Sequence, residues 1–289
     1  MKRSRIALVA AAAATALLFA GCASDGPGGD AAEPTVEETP EFPEGSTMAR
    51  LAEAGSITIG TKFDQPLFGL VGPSGDPEGF DVEIGKIIAG QLGIAPENIE
   101  WVETVSANRE PFIENGQVDI VIATYTINDA RKEVVSFAGP YFMAGQSILV
   151  LSDNDDIESE DDLVGQAVCS VTGSTPAANL KELGAEVLET DTYSNCLEPL
   201  RNDKVVAVST DNVILAGLVA QNEGEFKVVG KPFTEEPYGI GLKLDDTEFR
   251  MWINDVLEQS FEDGTYKAAW EKTAGTVLPF VDPPAVNRY

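Results

Sequence analysis

The sequence predicts an α/β protein of two lobes, on three observations. Short β-branched runs alternate with apolar residues at helical spacing, the alternation halts and restarts near residue 145, and 289 residues at 43% hydrophobic content suffice for two cores. The first strand is residues 56–60 (SITIG), and Phe80, Ile84, Ile87, Ile88 and Leu92 then follow along one helix face. Residues 99–103 and 118–124 (VDIVIAT) are further strands, divided by a helix over about 107–115 that ends near Gly116. This β-α-β-α-β order favours a mostly parallel sheet.

After residues 141–151 the pattern begins again. Strands are predicted at 166–171, 186–190 and 205–210, with helices after Pro176, near Cys196 and from about Asp211. A strand at 238–244 (YGIGLKL) and amphipathic helices at 248–261 and 265–272 complete the chain and are expected to return to the first lobe. The expected organisation is therefore residues 48–144 and 237–289 as lobe 1 and 145–236 as lobe 2. The two chain crossings, near 143–147 and 231–238, favour hinge bending around a cleft that holds a ligand.

Composition narrows the function. The formal charge of -29, from 48 acidic and 19 basic residues, argues against a surface that tracks phosphates, so nucleic acid is not expected as a partner. Histidine is absent, which removes Ser-His-Asp and Cys-His nucleophiles, imidazole metal sites and the commonest neutral-pH base. No cofactor and no metal are implied, and a monomer is expected.

Residues 1–5 are basic and 6–20 form an apolar run too short to span a bilayer comfortably, so residues 1–21 read as a signal peptide. The run ends Leu18-Phe19-Ala20-Gly21-Cys22, which resembles the lipobox of bacterial lipoproteins, with Phe19 where Leu is usual. Cys22 would become the acylated N-terminus on the outer face of the cell membrane. Removing Lys2, Arg3 and Arg5 takes the charge from -29 to -32. Residues 22–47, rich in Gly, Pro, Ala and acids, read as a flexible tether from that anchor. Cys169 and Cys196 remain, and an exported even pair is a candidate disulfide worth about 3 kcal/mol, with free buried thiols as the alternative.

Three stretches in order carry a family resemblance: GFDVEIGKIIAGQLG from Gly79, REPFIENGQVDIVIATYTINDARKEVVSFAGPY over 109–141, and VGQAVCSVTGSTPAANL from Val164. Over residues 47–273 the chain resembles the family 3 solute-binding proteins, which capture polar amino acids for ABC importers. The resemblance implies a periplasmic-binding-protein-like fold, an amino acid ligand and permease subunits as partners. It implies no enzyme, although the same fold resembles cyclohexadienyl dehydratases, and a ligand sensor docking on another membrane partner is a further alternative.

In that family the ligand's α-carboxylate is held by an arginine five residues after a threonine or serine, here Arg131 and Thr126. A guanidinium matches a carboxylate in two parallel charge-assisted hydrogen bonds. Gly173, Ser174 and Thr175 resemble the second-lobe loop that meets the same carboxylate at a helix N-terminus. Asp211 resembles the ammonium-binding aspartate, with the Thr124 carbonyl opposite; its alternative role is an N-cap.

Selectivity for glutamate or aspartate, with glutamine, asparagine or another polar amino acid as the alternative, is read from Lys62, where binders of cationic amino acids in the family carry an aspartate, and from Arg109, placed like the arginine near the distal carboxylate in acidic binders. Lys62, Arg109 and Arg131 at +3, Asp211 at -1 and an acidic ligand at -1 sum to +1, whereas a cationic ligand leaves +3. The alternatives are a surface lysine at 62 and, for Arg109, a cap or an ion pair with Glu110 or Glu114. Phe63 and Phe68 are candidate walls, with core packing as the alternative for each.

Overall fold

The computed structural model describes residues 34–289. In chain order the strands are β1 Ile57–Thr61, β2 Asp64–Gln65, β3 Gly69–Val71, β4 Pro77–Glu78, β5 Ile99–Glu103, β6 Ile120–Val121 and β7 Val135–Ala144. They continue as β8 Gln146–Leu151, β9 Ala167–Val171, β10 Glu186–Thr190, β11 Ala207–Asp211, β12 Phe226–Val229 and β13 Glu236–Lys243. The helices are α1 Thr47–Ala54, α2 Phe80–Gln91, α3 Arg109–Glu114, α4 Asp129–Lys132, α5 Thr175–Leu183, α6 Leu197–Arg201, α7 Asn212–Gln221, α8 Thr247–Asp263 and α9 Thr265–Lys272.

Two five-stranded sheets result, in orders β5-β1-β6-β13-β7 and β10-β9-β11-β8-β12. In the first, β1 runs parallel to β5 and β6 while β13 lies antiparallel to both β6 and β7. In the second, β9 is parallel to β10 and β11, and β8 is antiparallel to β11 and β12. The architecture is thus a periplasmic-binding-protein-like pair of α/β lobes. The chain passes from the first sheet to the second between Ala144 and Gln146 and returns between Val229 and Glu236. These passages touch: the Phe233 N–H donates to the Gln146 carbonyl, and a Cβ on Gly145 would meet the Thr234 carbonyl oxygen at 2.6 Å. Glycine is needed there because the second passage leaves no room for a side chain.

Local chemistry fixes the elements that carry the site. Ser174 caps α5 by accepting from the Ala177 N–H, Pro176 stands in its first turn, and Gly184 ends it in the left-handed region at φ 94°. Asp246 caps α8 in the same way. α2 is buried on nearly every side because it packs between β1 and the helices α8 and α9, and at its first residue Phe80 meets Tyr141, Phe142, Tyr266 and Trp270 edge-on or tilted.

Three features differ from the sequence expectations. The strand expected over 118–124 is paired only at Ile120–Val121, because Thr124 turns left-handed (φ 44°) and gives its N–H to the Asp81 carboxylate. The small sheet β2-β3-β4 and strand β12 have too few residues or too plain a pattern to announce themselves. Of the tether expected over 22–47, and of Cys22 and the signal peptide, residues 1–33 lie outside the described residues. Residues 34–46 lie against the first lobe: the Glu37 N–H donates to the Gly90 carbonyl, and Phe42 meets Trp252 edge-on at 5.7 Å. Cys169 and Cys196 are disulfide-bonded, with Cα atoms 5.6 Å apart. Among the described residues no helix is long and apolar enough to cross a membrane.

Candidate functional site

The two lobes meet over a narrow, nearly closed cleft of about 10 Å³. Arg109, Thr124 and Thr126 line it from the first lobe, and Ser174, Thr175 and Asp211 from the second. Ser106, Pro176, Tyr193 and Ile214 complete the wall; sequence reasoning did not single them out.

Arg131 is buried at the start of α4, whose N-cap Asn128 accepts its backbone N–H. Its Nε pairs with Glu110 Oε1 at 3.1 Å, Nη1 donates to the Thr126 carbonyl at 2.6 Å, and Nη2 reaches the Gly173 carbonyl at 3.1 Å. Burial, then the neighbouring Arg109, hold its pKa down at about 10. Arg109 is only 2% exposed; it stands as the C-cap of the short 3-10 turn Ser106–Asn108, whose Ser106 carbonyl accepts from its Nε, and among the described residues it pairs with neither Glu110 nor Glu114. Its donors go to carbonyls of Ser106, Ala123, Thr124 and, across the cleft, Gly173. Both guanidiniums lean on the ring of Tyr125, at 4.3 and 5.0 Å from its centroid.

Lys62 is also no surface residue. It is 3% exposed, and its Nζ donates to Ser106 Oγ at 2.9 Å. Burial, reinforced by Arg109, pulls its pKa down to about 7. Lys62 stands behind Ser106 and not on the cleft wall itself; because Ser106 Oγ accepts from it, the hydroxyl hydrogen is left for the cleft. Phe68 is wholly buried in core, whereas Phe63 is half-buried and off the cleft wall.

On the second lobe Gly173 has φ 78°, and a Cβ there would meet the Ala107 Cα at 2.8 Å, so glycine is what lets the lobes approach. Ser174 Oγ donates to the Val171 carbonyl, and Thr175 Oγ1 donates to Glu236 Oε2 at 2.7 Å. What this loop offers an anion is therefore the N-terminal end of α5 more than its hydroxyl hydrogens. Asp211 ends β11 and makes no capping bond to α7. Its Oδ2 accepts from the Tyr238 hydroxyl at 2.6 Å, while Oδ1 is buried without a hydrogen-bond partner. Burial, then Glu236, push its pKa up to about 7.

The charge sum drawn from sequence omits four carboxylates. Asp64, Asp81, Glu110 and Glu236 all stand around the cleft, so Lys62, Arg109 and Arg131 at +3 face five acids, a formal -2 before any ligand. Net charge thus does not choose the ligand. Pairing distinguishes the groups instead: among the described residues Lys62 and Arg109 have no acidic partner at ion-pair distance, and Asp211 keeps one oxygen without a hydrogen-bond partner. Such an arrangement can hold a small molecule bearing both anionic and cationic groups.

The lobes also bond directly. Asp64 Oδ2 accepts from the backbone N–H groups of Tyr193 (3.0 Å) and Ser194 (3.5 Å). Tyr193 and the disulfide-bonded Cys196 belong to one short turn, so Cys169–Cys196 ties this part of the cleft wall to β9.

Residues 57–276 match the bacterial extracellular solute-binding proteins, family 3. The chain is 44% identical over 235 residues to the glutamate-binding protein GluB of Corynebacterium efficiens, covering 77% of this chain and 80% of that protein. It is 36% identical to the ABC transporter glutamine-binding protein GlnH of Bacillus subtilis, covering 89% and 92%. Among solved structures, an ancestral arginine-binding protein bound to glutamine superposes with a TM-score of 0.72 at 37% identity, covering 76% of this chain and 97% of that one.

Proposed function

The chain belongs to the bacterial extracellular solute-binding proteins, family 3, and from that premise we propose that it is the extracytoplasmic amino-acid-binding component of an ABC importer, taking glutamate or aspartate. It is a binding module, in keeping with a family of solute-binding proteins and not of enzymes. One observation carries the acidic preference: among the described residues Lys62 and Arg109 are buried basic groups without a carboxylate at ion-pair distance, beside a buried carboxylate with one oxygen lacking a hydrogen-bond partner. Identity to a glutamate-binding relative supports it.

In this reading Arg131, Thr126 and the end of α5 take the α-carboxylate, Asp211 takes the ammonium, and Arg109 with Ser106 takes the side-chain carboxylate. Lys62 supplies charge one atom behind Ser106. A ligand held by both lobes favours the shut state by its differential affinity, and the permease can then tell loaded from empty. Residues 48–144 with 237–289 and residues 145–236 are the bodies that move, and Cys22 carries the lipid.

Titration calorimetry of residues 23–289 against the twenty amino acids tests the reading, with micromolar affinity for glutamate or aspartate expected, roughly -8 kcal/mol. Preference for another amino acid overturns the specificity; no binding of any overturns the whole. A glutamine reading has one observation in its favour: a Lys62 with its pKa near 7 is half neutral at that pH and meets an amide without charge mismatch. Intact mass of membrane-extracted protein, with a Cys22→Ala control, tests the anchor.

A further inference from the structure

Asp211 is held from the other lobe. Tyr238 belongs to β13 of the first sheet, and Asp211 ends β11 of the second; the phenol hydroxyl of one donates to Oδ2 of the other at 2.6 Å. Tyr238 is fully buried, so water does not compete for that hydroxyl. Its ring is fixed on three sides, by Phe68 edge-on at 6.1 Å and by Tyr141 and Phe142 tilted at 6.2 and 5.9 Å. Its backbone forms a bridge with Thr126, and its strand register slips between Tyr238 and Ile240. That irregularity falls where β13 passes the cleft.

A carboxylate has two oxygens and a free rotation about its last bond. With Oδ2 committed to Tyr238, rotation stops and Oδ1, buried and without a partner, is the oxygen left at the cleft. We propose that Tyr238 is a positioning residue for amino acid binding, which orients Asp211 from across the lobe boundary so that one oxygen is kept for the ligand's ammonium group. This rests on the assignment of Asp211 to the ammonium. The bond also ties the ammonium site to the strand on which the chain returns to the first lobe, so that lobe closure and completion of the site are one event. The groups facing Asp211 are Glu236 and Tyr238 from β13, Arg109 from α3, Arg131 from α4, and Tyr193 from the turn after β10. Of these only Tyr238 donates to it, and hydrogen bonding to the ionised form favours that form.

Tyr238→Phe removes a single oxygen. The expected result is about tenfold weaker binding of both glutamate and glutamine with their ratio unchanged, as the α-ammonium is common to them. The fall of affinity on acidification, caused by protonation of Asp211, should begin at higher pH in the variant than in wild type. A purely structural role would lower thermal stability without moving that limb. p-Aminophenylalanine at position 238, which restores a donor on the same ring, should restore both affinity and limb. A folded Tyr238→Phe with unchanged affinity and unchanged pH profile overturns the proposal. Glutarate, which is glutamate without the amino group, separates the two layers. If wild type binds glutarate as tightly as glutamate, the ammonium assignment of Asp211 fails and this proposal with it. If glutarate is rejected yet Tyr238→Phe behaves as wild type, only the role of Tyr238 fails.

Discussion

Arg109 and Arg131 differ in what holds them, and the difference predicts different failures. Arg131 has an acid at Nε and carbonyls at both remaining nitrogens, and in the proposed reading it meets the α-carboxylate that every amino acid owns. Arg131→Ala should therefore weaken every ligand by a hundredfold or more, about 3 kcal/mol, in calorimetry. Arg109 has no acid at ion-pair distance among the described residues, so Arg109→Met should cost glutamate at least tenfold and glutamine little. Equal losses for the two would exclude Arg109 from the side-chain subsite. Lys62 adds a pH signature. Its folded pKa is pulled from 10.5 to about 7, so between those values the unfolded chain holds a proton that the empty folded protein does not. The empty protein gains stability from this group as pH rises through that window and loses it as pH falls from about 10.5 to about 7, below which both states hold the proton and the group adds no further pH dependence. An anionic ligand favours the protonated amine, so glutamate binding should take up protons and weaken from pH 7 to 8.5. Calorimetry in buffers of different ionisation enthalpy reads the uptake, and Lys62→Met should abolish it. Arg109 was legible as a cleft residue because residue type and spacing singled it out, whereas Lys62, read as a ligand contact, stands behind Ser106. Ser106, Tyr193 and Glu236 were not legible, since each comes to the cleft from a turn or strand end whose long-range partner no local pattern encodes. The serine three places before Arg109 was the one local signal available.

At the scale of elements, helices and long strands follow the periodicities read from sequence. Failures cluster where a functional backbone leaves the regular path, as at Thr124, whose N–H abandons the ladder for Asp81. Packing between elements was also hidden, and glycines mark it. Gly217, in the middle of α7 on the second lobe, faces Pro66 of the first, where a Cβ would stand 2.5 Å from the Pro66 carbonyl oxygen. That is backbone against backbone, with no side chain to yield. Gly217→Ala should therefore hold the lobes apart without touching a ligand contact. All amino acids should bind several-fold more weakly in unchanged order, and the liganded protein should scatter X-rays with a larger radius of gyration than wild type. A changed order of preference would show that α7 shapes the subsite itself.

At the scale of the whole molecule, the segment before α1 bears on how the body would hang from the lipid anchor proposed at Cys22. Composition alone made residues 34–46 part of a solvated tether, because prolines and acids seldom repay the entropy of ordering. They are ordered by a socket no composition reveals: Gly90 on α2 accepts the Glu37 N–H, and a side chain at Gly90 would strike the Thr35 carbonyl oxygen at 2.5 Å. Phe42 closes the contact on Trp252 of α8. Every one of these contacts is to the lobe built on β1, α2 and α8, and none is to β8–β12 or their helices. Membrane attachment through this segment would therefore be made to the first lobe and leave the second free to swing. Protein beginning at residue 47 should lose about 1–2 kcal/mol relative to protein beginning at 34, a few degrees in melting temperature, through the lost Phe42 burial and backbone bond. Its amino acid affinity should be unchanged, since no cleft residue touches the segment. Gly90→Val, which fills the socket from the other side, should reproduce the loss in the longer protein and add nothing in the shorter one; an equal penalty in both would mean that α2, and not the strap, bears the cost.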